Sequence, residues 1–116
     1  MTPRRDCKRD ANHDEIADTF RRMGCMVIDT HQFAQYLPGY PDLDVRRGGR
    51  SVLVEVKADG GRLTPDEAAF AELCAGYRVQ YEVVRTAEQA VALAVELMAE
   101  GQRRSAREED DPSLTM

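Results

Sequence analysis

No stretch of this chain is apolar for long enough to cross a bilayer, and no apolar core follows its polar, basic start from Met1 to Asp10. A membrane-spanning helix needs about twenty apolar residues. A helical span is therefore excluded, and with no secretory core the chain is expected to stay inside the cell, in the cytoplasm. Cysteine is scarce. Cys7, Cys25 and Cys74 are odd in number and lack CxxC spacing, which excludes a disulfide framework and leaves Cys25 and Cys74 as buried thiols in a reducing compartment. Cys7-x5-His13 and Cys25-x5-His31 match no common structural zinc spacing, so no zinc is expected. Excess positive charge is missing too. The net charge is −5, which taken alone argues against a nucleic-acid partner.

That charge is unevenly spread. Residues 105–116 set Arg107 against Glu108, Glu109, Asp110 and Asp111, a net −3, which leaves −2 for residues 1–104. Arg4, Arg5, Lys8 and Arg9 cluster at the start, and Arg46, Arg47 and Arg50 form a second group. Either group can meet phosphates or simply be solvated.

With 116 residues, one domain is expected. Residues 1–9 read as a flexible basic arm, 10–101 as the folded domain and 102–116 as a disordered acidic tail. Asn12-x-x-Glu15 has capping-box spacing, and Ile16, Phe20 and Met23 recur at helical period until Gly24. Cys25 to Thr30 reads as a short buried strand, and His31 to Tyr40 as a loop. Thr64-Pro65-Asp66-Glu67 is a strong helix start, with Gly76 as the expected residue after its end. Val79, Tyr81 and Val83 alternate as a strand. Thr86-x-x-Gln89 opens a last helix with Val91, Ala94, Val95 and Met98 on its core stripe and Gly101 beyond it. The order α-β-β-β-α-β-α predicts an α/β fold with a mixed sheet flanked by helices.

The most informative segment is Gly39 to Lys57. Asp42 to Arg47 and Arg50 to Lys57 read as strands joined by Gly48-Gly49, a pair suited to a two-residue turn with φ > 0. This turn sets Arg47 opposite Arg50, Val45 opposite Val52, Asp44 opposite Leu53 and Asp42 opposite Glu55. Alternation then puts Asp42, Asp44, Glu55 and Lys57 on one face and Val45, Val52, Val54 and Val56 on the other. Like charges directly across a sheet are destabilising. A divalent cation between Asp42 and Glu55 would relieve that repulsion.

Pro41-Asp42 followed by Glu55-x-Lys57 resembles the PD-(D/E)xK nuclease superfamily. The longer run Gly39-x-Pro-Asp-Leu, Leu53-Val-Glu-Val-Lys and Gly61-Arg-Leu-Thr-Pro resembles its virus-type replication-repair nuclease (VRR-NUC) branch, over roughly Arg9 to Leu97. The resemblance implies a restriction-endonuclease-like αβββαβ core and a Mg²⁺- or Mn²⁺-dependent deoxyribonuclease. It implies that Asp42, Glu55 and the backbone carbonyl of Val56 bind the metal, while Lys57 orients the attacking water or stabilises developing charge. Glu15 matches an acidic position on the family's first helix, and is also free to close the capping box with Asn12. Asp44 falls where relatives usually carry an apolar residue, and either supplements the site or sits in solvent. Glu67 replaces a common glutamine, and either joins the site or only caps its helix, the role favoured here. Arg46, Arg47, Arg50 and Arg62 are candidate DNA contacts. Asp29 and His31 lie beside the site loop and either contact substrate near the scissile bond or fill ordinary polar loop roles, the simpler expectation, and Tyr36 and Tyr40 either stack on bases or close the core.

Stand-alone members of the family suggest a bacteriophage protein that cuts branched DNA as a Holliday junction resolvase does. Symmetric cutting requires two sites and hence a homodimer. The rival readings are a nuclease acting on flaps, single strands or linear ends, a catalytically inactive DNA- or protein-binding module, and a regulatory protein whose acidic tail engages a basic partner.

Overall fold

Gly48 and Gly49 take φ of 60° and 81° in the computed structural model, which describes residues 9–110, with side chains to Gly101. These angles close a tight turn that imposes the expected register. Arg47 faces Arg50, Val45 faces Val52, and Asp44 faces Leu53 across antiparallel β2 (Leu43–Arg47) and β3 (Arg50–Val56). β1 (Met26–Asp29) pairs antiparallel with β2, and β4 (Tyr81–Val84) pairs parallel with β3. The result is a four-stranded mixed sheet in the order β1-β2-β3-β4. Its helices are α1 (His13–Arg22), α2 (Pro65–Gly76) and α3 (Ala87–Asp110), with a 3-10 turn at His31–Gln35.

Alternation along β2 and β3 sorts the sheet into two unlike faces. Leu43, Val45, Val52, Val54 and Val56 are all at most 1% exposed and pack with Ile16, Phe20, Ala90, Leu93, Ala94 and Leu97 of α1 and α3. The opposite face carries Asp42, Asp44, Glu55 and Lys57. Thr64, Asp66 and Glu67, from the start of α2, share a cleft with three of these. The β3-α2-β4 crossover thus lays α2 over the polar face.

Several expectations give way here. Asn12 makes no capping bond; its amide donates to the carbonyls of Lys57 (3.1 Å) and Arg85 (2.7 Å), docking α1 on the ends of the sheet. β1 is not buried, because it is a sheet edge; Met26 is 60% exposed and only Val27 reaches the core. On α3 the buried stripe is Ala90, Leu93, Ala94 and Leu97, with Val91 and Val95 facing out. Both stripes have helical spacing. The observed one places two alanines at the sheet, where small side chains allow close approach.

Gly101 does not end α3. A Cβ on Gly48 would stand 2.8 Å from the Gly101 Cα, so both glycines serve a close contact between hairpin tip and helix. The helix backbone continues to Asp110, where a disordered tail was expected from residue 102, and residues 111–116 lie outside those described. Residues 1–8 of the expected arm also lie outside them; Arg9 is ordered against Asp29 at 2.9 Å. Gly76 closes α2 in helical backbone, and Arg78 takes the left-handed position (φ 56°). Among the described residues no helix is long and apolar enough to cross a membrane.

Candidate metal centre

Asp42 precedes β2 in a segment pinned from two sides. The Thr30 hydroxyl donates to the Pro41 carbonyl, and the Thr30 N–H donates to the Asp42 carbonyl, both at 2.8 Å. The carboxylate itself is held at both oxygens. Oδ2 accepts the Val56 N–H at 2.8 Å, and Oδ1 lies 2.7 Å from His31 Nδ1. Glu55, next to Val56 on β3, is 2% exposed. Both acids line one cleft of about 300 Å³, with Asp10, His31, Val56, Lys57 and Glu67 around them. The sequence-predicted trio Asp42, Glu55 and Lys57 is therefore brought together.

Glu67 joins them. Its Oε1 accepts the Thr64 N–H at 2.8 Å, while Thr64 Oγ1 accepts the Glu67 N–H at 3.2 Å, completing the expected capping box. The same Oε1 lies 2.7 Å from Lys57 Nζ, which is 3.9 Å from Glu55. Capping alone was the favoured role, yet one carboxylate both starts α2 and tethers the lysine. Sequence spacing cannot reveal this, because the crossover after Lys57 decides where the first turn of α2 lands.

Burial, the Asp42 charge and the Glu67 side chain together push the Glu55 carboxyl up to about 10. Burial alone would lower the Lys57 ammonium, but Glu67 and then Glu55 hold it above its ordinary value. Burial would raise Glu67, and its bonds to Glu55, Lys57 and the Thr64 N–H instead hold it low. Glu55 thus keeps its proton at neutral pH in the absence of a cation.

The donor set fits a hard divalent cation. Glu55 Oε2 is buried with no hydrogen-bond partner among the described residues, and an unpaired buried acceptor of this kind costs about 1–3 kcal/mol. Mg²⁺ and Mn²⁺ favour carboxylate oxygens with some coordination left to water. Asp42, Glu55 and Val56 line the same cleft, and an ion bound by Glu55 would displace its proton.

Other candidates fall elsewhere. Glu15 is exposed and outside the cleft. At about 100° per residue it stands across the helix from buried His13, so His13, not Glu15, is the α1 side chain turned inward. Asp44 is engaged by Arg46 at 2.9 Å and by Ser51 at 3.0 Å. The Arg46 hydrogen bond, against burial, keeps its carboxyl low. Arg47 donates to the Gly24 carbonyl and Arg50 to the Gln80 side chain. These tip arginines lie roughly 16 Å along the strand from Asp42, at about 3.3 Å per residue. Arg62 is exposed. Tyr40 packs edge-to-face between Phe33 and Phe70, whereas Tyr36 is 81% exposed.

One network was not anticipated. Asp29 accepts from His13 Nε2 (3.1 Å) and from the His31 N–H (3.0 Å). The two rings meet edge-on at 5.5 Å beside Asp42. Burial would raise the Asp29 carboxyl, but the His31 N–H, His13 and Arg9 draw it below its usual range. The residues come from three separate segments: the β1–β2 pairing brings Asp29 and His31 to Asp42, and the docking of α1 through Asn12 adds His13. No protein-family model, curated protein or solved structure matches the chain.

Proposed function

We propose that this chain is a metal-dependent deoxyribonuclease that hydrolyses phosphodiester bonds, with branched DNA as its substrate class. The observation that carries the reading is Glu55, a nearly inaccessible carboxyl with one unpaired oxygen, set beside Asp42 and Lys57 in a cleft. A protein that needed only stability would gain by replacing such a group with an apolar one. The resemblance of Gly39 to Pro65 to the VRR-NUC branch supports the same reading.

Asp42, Glu55 and the Val56 carbonyl are the residues to hold Mg²⁺ or Mn²⁺. When bound, such an ion offsets phosphate charge and supplies an activated water. Asp42 is kept in place by the Val56 N–H and His31, so it needs no reordering on binding. The Lys57 ammonium, steered by Glu67, is placed to orient the water or to meet charge developing on the phosphate. The tip arginines and Arg62 are proposed to contact DNA away from the scissile bond. Paired cuts in a junction call for two sites, and hence a homodimer.

A second reading is a DNA- or protein-binding module that keeps the fold without cleavage. It is favoured by the tight 2.7 Å pairing of Lys57 with an anion, which competes with any role toward substrate. Purified protein with Mg²⁺ or Mn²⁺ on labelled four-way junction, flap and duplex DNA decides between them. Cleavage is expected, strongest on the junction. Glu55→Ala and Lys57→Ala should each lower it by about 10³-fold, the several kcal/mol expected of a metal-ligand or charge-stabilising group. Binding without cleavage by the parent protein would instead support the inactive module.

A further inference from the structure

We infer that His13, His31 and Asp42 form a second cation position, one that takes a divalent transition metal through imidazole nitrogen, beside the all-oxygen position at Glu55. One ligand atom from each of the three residues lies within 4.8 Å of the other two. The residues are 1%, 5% and 8% exposed. They come from the start of α1, the start of the 3-10 turn and the residue before β2, so the fold rather than a flexible loop sets their spacing.

The state of His13 points to a ligand. Asp29 Oδ2 lies 3.1 Å from His13 Nε2, and a carboxylate can only accept, so Nε2 carries the hydrogen. In the neutral ring this leaves the lone pair on Nδ1. Nδ1 is buried with no hydrogen-bond partner among the described residues. A carboxylate that fixes one ring nitrogen and frees the other is the usual support behind a metal-bound histidine. Asp29 also accepts the backbone N–H of His31 at 3.0 Å, which fixes the start of the 3-10 turn beside His13.

Asp42 is built to serve both positions. Its Oδ1 faces His31, and its Oδ2 faces β3 beside Glu55. Imidazole ligands favour Co²⁺ and Zn²⁺ over Mg²⁺, while Mn²⁺ accepts both donor types. The two positions therefore differ in selectivity as well as place.

Pulsed EPR of Mn²⁺ added to the full chain reads nitrogen ligation directly, whether or not the protein cuts DNA. The expected result is ¹⁴N modulation in the parent that changes to the ¹⁵N pattern when histidine alone is ¹⁵N-labelled, a readout needing no variant. The modulation should persist in Glu55→Gln, which removes the oxygen position, and disappear in His13→Asn and His31→Gln of parent-like circular dichroism. Both histidine variants should bind Co²⁺ at least about tenfold more weakly, with Mg²⁺ affinity unchanged in His13→Asn, since His13 does not hold Asp42 in place. Absence of histidine nitrogen modulation in the parent would overturn the assignment and leave the trio as a hydrogen-bonded brace for Asp42. Modulation surviving in both histidine variants would overturn it equally.

Discussion

The two faces of the β2–β3 hairpin are made by the same dozen residues and are held by opposite physics. On one, Leu43, Val45, Val52, Val54 and Val56 are sealed among apolar side chains of α1 and α3. On the other, Asp42 and Glu55 are almost as inaccessible, yet one is clamped by hydrogen bonds and the other keeps an unpaired oxygen. Burial stabilises the first face at about 25 cal/mol per Å² of apolar surface. On the second it costs free energy that only pairing, protonation or a cation offsets. A strand that alternates so sharply can give its stability to one side and its chemistry to the other.

Breaking the valine face should have the largest effect on folding. Leu43 is fully buried, and Leu43→Ala is expected to cost about 2–5 kcal/mol through lost burial and the cavity left behind. Urea unfolding measures it. Its neighbour Asp42 belongs to the other face, so metal affinity in the folded variant should change far less than stability. A loss under 1 kcal/mol would mean the two faces are not divided as described.

The carboxyl face should respond to pH with the opposite sign to most acids. Glu55 is raised in the folded state to about 10, chiefly by burial and then by Asp42 and Glu67. The folded protein therefore holds a proton that the unfolded chain releases near its ordinary value of about 4.3. The stability tied to that proton is complete below that value and is lost as pH climbs toward 10, at up to about 1.4 kcal/mol per pH unit. Asp29, Asp44 and Glu67 are lowered and act only in acid, and Lys57 is raised and acts only in alkali. Cys25 and Cys74 are raised by burial as well and add a loss of the same sign toward alkali, so the Glu55 share is read as the difference between the parent and Glu55→Gln. Metal-free Glu55→Gln is expected to flatten the slope and to exceed the parent in stability at pH 8. Parallel pH profiles of the two proteins would remove the buried, protonated Glu55 from the account.

Much of this contrast is legible in the sequence because local rules dominate the hairpin. Gly48-Gly49 dictates the turn, the turn dictates register, and register puts Asp42 and Glu55 on a face that Val54 and Val56 do not share. Thr64 to Glu67 likewise declares a capping box from four residues. What escapes is set by distant packing. His13 has the same spacing whether it faces water or Asp42, and only the docking of Asn12 on the carbonyls of Lys57 and Arg85 turns it inward. Glu15 matches an acidic position on the first helix of the resembled family, but its place on the helix surface is two residues round from buried His13. Gly101 reads as a terminator by composition, whereas its use is to let Gly48 approach.

The smallest expected effect separates how the covering helices are fastened. α1 and α3 supply the large apolar side chains of the core, whereas Cys74 is the buried residue of α2. α2 therefore depends more on its ends, and its first turn is held by the reciprocal Thr64–Glu67 bonds. Thr64→Ala removes the side-chain acceptor and should cost about 1 kcal/mol. With little apolar anchorage, α2 should open locally before the sheet does. Hydrogen exchange is expected to accelerate in the first turn of α2 while β2 and β3 stay protected. Because Glu67 is the partner of Lys57, the same substitution loosens the lysine and should weaken function beyond its modest effect on stability. Uniform acceleration across β2, β3 and α2 would instead show that the polar face is as firmly tied to the fold as the valine face.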